Sequence, residues 1–81
     1  MITIDYKSRL PVYEQIKNQL MTLIQLGVLK PDQQLPSIRS LSSETGVNVN
    51  TVKRAIQDLE EMGVIYSVPG KGSFVSEDAF A

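Results

Sequence analysis

The sequence predicts an α+β domain in which three helices precede a two-stranded β-hairpin. Three observations predict it. Residues 35–62, LPSIRSLSSETGVNVNTVKRAIQDLEEM, hold two apolar patterns of helical period, broken by Thr45-Gly46-Val47. Residues 11–26 carry a third helical pattern ahead of them. After them, residues 64–68 and 73–75 are β-prone runs separated by Pro69-Gly70-Lys71-Gly72, a turn sequence.

The chain has 81 residues, enough for one small domain with a single modest core. Hydrophobic residues make up 42% and charged residues 21%, the balance of an ordinary globular protein rather than a disordered one. Cysteine and histidine are absent, which excludes disulfides and any Cys/His zinc site and is compatible with a cytoplasmic location. No apolar run reaches the roughly 18 residues of a membrane span, and no signal peptide is expected ahead of the domain. Net charge is −1, so the total alone argues against a polyanionic partner. The distribution argues otherwise: Glu60, Glu61, Glu77 and Asp78 come late, whereas Lys53, Arg54 and Lys71 sit on segments that would face a ligand.

Each element has its own justification. Residues 1–10 alternate apolar and polar at Ile2, Ile4 and Tyr6, either a short extended arm or a loose lead-in. Pro11 is expected as the first helical residue, where a missing N–H costs nothing. Val12, Ile16, Leu20, Leu23 and Ile24 then form one buried stripe, and Gly27 ends the helix as a left-handed cap. Pro31-Asp32 marks a turn, and a short strand fits around Gln34-Leu35. Ser37 caps a second helix over about 37–45, with Ile38 and Leu41 toward the core and Gly46 as the stop.

Asn48 is expected to cap the third helix. Helical geometry puts Val52, Ala55, Ile56, Leu59 and Met62 on one side, and Val49, Asn50, Lys53, Arg54 and Gln57 on the other. Two helices joined by a tight glycine-containing turn, the second with a hydrogen-bonding outer face, are the outline of a helix-turn-helix. Lys53 and Arg54 lie in the N-terminal half and Glu60 and Glu61 in the C-terminal half, the polarity suited to a helix that enters the major groove by its N-terminal end. The same face also reads as a solvated surface with i,i+3 and i,i+4 pairs, and periodicity alone does not decide between the two.

The hairpin after the third helix is a wing, which makes the whole a winged helix-turn-helix. Its tip, Gly70 and Lys71, offers backbone amides and one cation to a phosphate or a minor groove, while Phe74 is expected to anchor it over the core. Residues 76–81, SEDAFA, resemble the start of another helix with Ser76 as its cap. Residues 1–75 are therefore read as the domain, and 76–81 as the start of a linker or of an effector and dimerisation region in a longer chain.

Four ordered motifs carry a specific resemblance. Leu35-Pro36-Ser37-Ile38-Arg39, Gly46 through Ala55, Leu59-Glu60-Glu61-Met62-Gly63 and Pro69 through Val75 resemble the GntR family of bacterial transcription regulators, as does Pro11-Val12-Tyr13-Glu14-Gln15-Ile16. The form Asn48-Val49-Asn50-Thr51-Val52 is most similar to the YtrA-like branch, whose members carry a short helical effector and dimerisation region after the wing. The resemblance implies a sequence-specific regulator that binds a palindromic double-stranded DNA operator, as a homodimer in the full-length protein. A small-molecule effector would bind beyond the wing, and no cofactor, metal or membrane is implied.

Carried over by position, Ser37 and Arg39 fall at the start of helix 2, where Arg39 would contact DNA. Asn48, Val49, Asn50, Thr51, Lys53 and Arg54 fall on the recognition helix, and Gly70 and Lys71 on the wing tip. Ile38 stands where many members have glutamate and Val49 where many have arginine. An arginine pairs with both acceptors of a guanine, whereas Val49 offers apolar contact such as to a thymine methyl, so a different half-site code is expected.

An enzyme is a poor fit, because no histidine or cysteine is available as base, nucleophile or ligand. Pro69-Gly70-Lys71-Gly72-Ser73 lacks the spacing of a phosphate-binding P-loop. The rival is a winged-helix protein-interaction module, since the fold alone does not fix function. Arg39, Lys53 and Lys71 discriminate the two, because DNA binding would place all three along one surface. The isolated domain is expected to be mostly monomeric.

Overall fold

A computed structural model describes residues 2–77 and 79. Its elements are α1 (Val12–Gln25), α2 (Ile38–Thr45), α3 (Val49–Glu61), β1 (Ile65–Val68) and β2 (Gly72–Val75). This is the expected order of three helices and a hairpin.

The helix ends follow from local chemistry. Pro11 is the N-cap of α1 and not its first helical residue: its ψ of 148° is extended, while its carbonyl accepts the Gln15 N–H at 3.1 Å. Ser37 caps α2 by accepting the Ser40 N–H on its Oγ at 3.0 Å. The helices α1 and α3 stop by one device. Val28 N–H donates to the Leu23 carbonyl at 2.9 Å and Gly27 N–H to Ile24 at 3.1 Å. Val64 and Gly63 repeat the pattern onto Leu59 and Glu60, at 3.1 and 3.0 Å. Both are Schellman motifs, which need the left-handed conformation that Gly27 (φ 77°) and Gly63 (φ 76°) adopt.

The core lies where the three helices meet the base of the hairpin. Ile16, Leu20 and Ile24 of α1, Leu41 of α2, and Val52, Ala55, Ile56 and Leu59 of α3 are buried. Ile65 and Val75, directly opposite each other in the antiparallel ladder, close it from the wing side. Each fully buried aliphatic side chain contributes about 1.5–3 kcal/mol by leaving water. That burial holds α3 rigidly, its opposite face free.

Besides Pro11, three expectations are corrected. Met62 is 56% exposed rather than buried, because it is the C-cap of α3 and the chain reverses at Gly63 before its side chain reaches the core. Phe74 does not anchor the hairpin over the core. Successive strand residues point to opposite faces, and with Val75 inward Phe74 turns outward and stacks on its cross-strand partner Tyr66, ring centroids 5.6 Å apart. The alternation of residues 1–10 fails at Tyr6, which is 71% exposed, since a turn closes with Ser8 N–H on the Asp5 carbonyl at 3.2 Å.

The N-terminal segment is a docked arm without a strand. Gln19 both accepts from Thr3 N–H (2.9 Å) and donates to its carbonyl (2.7 Å). Gln15 does the same for Asp5, at 2.9 and 3.0 Å, and also donates to the Leu10 carbonyl at 2.9 Å. These bonds satisfy Gln15, the one buried polar side chain among the described residues. The arm so held seats Ile2 in the core.

The connector before α2 runs along β2 as the expected short strand, reduced to one bridge, Gln34 to Phe74. Asp32 N–H donates to Val75, Val75 N–H to Gln33, and Leu35 N–H to Ser73, at 2.7, 2.9 and 2.9 Å. Tyr66 also donates its hydroxyl to Asp32 at 2.9 Å, and that bond to a carboxylate raises the phenol above its ordinary pKa of 10.0. The wing is thus tied to the start of α2 on one side and to the end of α3 on the other. Ser76, expected to cap a further helix, accepts the Ala79 N–H on its backbone carbonyl at 3.3 Å in a turn; Asp78, Phe80 and Ala81 lie outside the described residues.

Candidate nucleic-acid interface

The four buried residues of α3 define its inward stripe, and at about 100° per residue Asn50 and Gln57 project nearly opposite to it. Val49 and Lys53 fall on one flank of the outer face and Arg54 on the other. All five are exposed, as the sequence pattern requires. Two contacts fix what the flanks face. Glu60, on the Lys53 flank, accepts the Ser67 hydroxyl at 2.5 Å, so this flank looks toward the wing. Arg54 stacks its guanidinium over the Tyr13 ring at 3.8 Å, so the other flank looks toward α1.

The sequence-predicted residues separate into distinct roles. Asn48 is the N-cap of α3, its Oδ1 accepting the Asn50 N–H at 2.8 Å. An asparagine that reads adenine uses its oxygen and nitrogen together, so Asn48 holds only its amide N–H groups free while capped. Asn50 keeps both ends of its amide: it is exposed, and its side chain makes no hydrogen bond among the described residues. Thr51 is half-buried on the α1 side, and Val49 is 45% exposed at the N-terminal end.

Arg54 is held by Tyr13, whose hydroxyl contacts Glu14 Oε1 at 3.3 Å; Lys17 Nζ lies 3.9 Å from that same oxygen. Its cation–π contact directs it along the α3–α1 seam.

A second group gathers at the wing. Ser37, Arg39, Ile56, Lys71, Gly72 and Ser73 line a cleft of about 240 Å³ between the start of α2 and the hairpin. It brings Ser37, Arg39 and Lys71 into one groove beside α3. Lys53, Arg39 and Lys71 form no ion pair among the described residues, so their charge is uncompensated at short range. The tip is a turn in which Lys71 N–H donates to Val68 at 3.0 Å, with Pro69 and a left-handed Gly70 (φ 76°) at its centre, the order of a type II turn. On the other side of the wing, Glu60 lines a shallow groove with Gly70 and Lys71. Glu60 therefore lies against the hairpin, while Glu61 stays exposed beside Gln57 at the C-terminal end of the outer face, away from the Asn48–Lys53 end.

Tyr13, Gln15 and Gln34 take part in this architecture through side-chain roles that the sequence pattern, which places them only in a motif or a short strand, does not assign. Their signals were side-chain contacts between distant segments, which neither period nor propensity encodes.

The sequence pattern of the family described as "Bacterial regulatory proteins, gntR family" matches residues 12–75. The HTH-type transcriptional repressor YtrA of Bacillus subtilis (strain 168) is 43% identical over 79 residues, covering 98% of this chain and 61% of that protein. The HTH-type transcriptional repressor NagR of the same organism is 40% identical over 76 residues, covering 94% of this chain and 31% of that protein. The chain thus spans less than two thirds of the length of these curated relatives. Among solved structures, YtrA from Sulfolobus acidocaldarius, a GntR-family transcription factor, matches with a TM-score of 0.87 and 43% identity, covering 94% of this chain and 80% of that one. AraR(DBD) in complex with operator ORX1 matches with a TM-score of 0.85 and 36% identity, covering 91% and 94%. With the family pattern spanning α1 through β2, and the three helices and wing in the same arrangement, the chain belongs to the GntR family of bacterial regulatory proteins.

Proposed function

We propose that residues 1–75 are the operator-reading domain of a cytoplasmic transcription regulator. The N-terminal end of α3 sits in the major groove, with the wing on the backbone or minor groove. Asn50 reads a base edge with both ends of its amide, and Val49 packs beside it against a thymine methyl. Lys53, Arg39, Ser37 and the wing tip Gly70-Lys71 hold phosphates and set the register. Asn48 keeps the first turn of α3 in place and offers its amide N–H groups, and Thr51 and Arg54 border the contact on the α1 side. Residues 76–81 begin a linker or an effector and dimerisation region. Through it the full-length protein pairs as a homodimer on a palindromic operator and answers to a small-molecule effector.

The observation that carries this reading is the free amide of Asn50, exposed on the same end of α3 as an unpaired Lys53. The operator-bound AraR domain, similar over most of both chains, supports it. Asn50→Ala tests it. Binding to the preferred duplex should weaken by about 1–3 kcal/mol, with one base position relaxed, while affinity for mixed-sequence DNA stays nearly unchanged. Equal loss on both would contradict a base-reading Asn50.

A further inference from the structure

Gln34 lies outside the helix-turn-helix and has no part in the reading above. Its backbone bridges Phe74, and its side chain reaches further along the wing: Nε2 donates to the Lys71 carbonyl at 2.8 Å. That bond joins residues 37 apart in sequence and lands beyond the last ladder pair, Val68 opposite Gly72. Beyond that ladder pair, the tip is otherwise fastened among the described residues by its own turn bond, Lys71 N–H to Val68 at 3.0 Å.

The same amide fills space that a side chain at residue 72 would need. A Cβ on Gly72 would lie 2.8 Å from Gln34 Nε2, and Gly72 has φ 130°, a conformation L-residues avoid. Glycine at 72 and glutamine at 34 are thus a matched pair. One leaves the gap and takes the required backbone; the other fills the gap and ties down the neighbouring carbonyl. Both line the cleft that holds Ser37, Arg39 and Lys71.

We infer that Gln34 is a positioning residue for DNA binding, fixing the wing-tip backbone so that the Lys71 ammonium is presented at one place along the duplex. The inference rests on the DNA reading proposed above. A lysine on a loose loop must order both loop and side chain when it meets a phosphate, and ordering the loop in advance removes part of that cost. Gln34 acts on DNA through Lys71 and touches no base.

The test is a double-mutant cycle of Gln34→Met and Lys71→Ala in the full 81-residue chain, binding a short mixed-sequence duplex at low salt. Methionine keeps the length of glutamine and removes its donor, and residue 34 is exposed, so the fold is retained. Gln34→Met should weaken binding about two- to tenfold when Lys71 is present and by clearly less when residue 71 is alanine, where only the tip's backbone contacts remain to be positioned. In the free protein, NMR relaxation should show the Lys71 and Gly72 amides loosened while the Ile65–Val75 pair stays ordered. Equal loss in both backgrounds, or unchanged order at Lys71 and Gly72, would overturn the role of Gln34 and leave the DNA reading intact. A wild-type chain that binds no duplex would overturn the DNA reading and this inference with it.

Discussion

Lys53 gives the cleanest quantitative prediction. It is exposed on the wing-side flank of α3, one helical turn beyond Val49, and has no ion-pair partner among the described residues. Lys53→Ala therefore removes a charge without unpairing another, and its cost to folding should stay within about 0.5 kcal/mol. Its effect on DNA binding should be distinctive. A lysine that neutralises one phosphate releases about 0.9 counterion, so its loss flattens the plot of log affinity against log salt by about 0.9. Between 50 and 200 mM salt, conditions chosen to span a fourfold range, the wild type should lose about 3.5-fold more affinity than the variant. Fluorescence anisotropy on one labelled duplex across that range measures it. The loss at any fixed salt should be the same for preferred and mixed sequences. An unchanged slope would remove Lys53 from the phosphate contacts, and loss confined to the preferred site would make it a base reader.

The other predictions concern what presents the reading face. Asn48→Ala removes the α3 cap and should cost about 0.5–2 kcal/mol, seen as a melting temperature lowered by several degrees for a domain this small; an unchanged melt would mean the cap is dispensable. Leu59→Ala opens a cavity at a fully buried site and should cost about 2–5 kcal/mol by urea denaturation, whereas a loss below 1 kcal/mol would show that the core collapses around it. A cycle of Tyr13→Leu and Arg54→Ala should show a coupling of about 0.5–1 kcal/mol in stability, the size of an exposed cation–π contact, and zero coupling would mean that Arg54 leaves Tyr13 in solution.

How much of this was legible in the sequence depended on the kind of signal. The three helices and the wing were readable because periods of 3.6 and 2, glycine stops and serine or asparagine caps are local. Ser37, Asn48 and Gly63 stand where such rules put them. Met62 misled because periodicity assigns a face without saying where the core ends. Phe74 misled because size suggested an anchor, when its strand neighbour Val75 already held the inward position. The candidate site was readable as a face but not as a set of roles. That Asn48 uses its oxygen as a cap while Asn50 keeps its amide free is a matter of one 2.8 Å bond. That Arg54 lies over Tyr13 is a contact between segments 41 residues apart, and so is outside any window of pattern.

The central claim is that the N-terminal end of α3 reads sequence through Asn50 and Val49. Selection of bound duplexes from a random pool tests it most directly, performed with the wild type and with Val49→Arg at two salt concentrations. The account predicts a recurring enriched half-site for the wild type and, for Val49→Arg, the same half-site with one position moved toward guanine. A pool that stays unenriched, or an identical motif from both proteins, would contradict it.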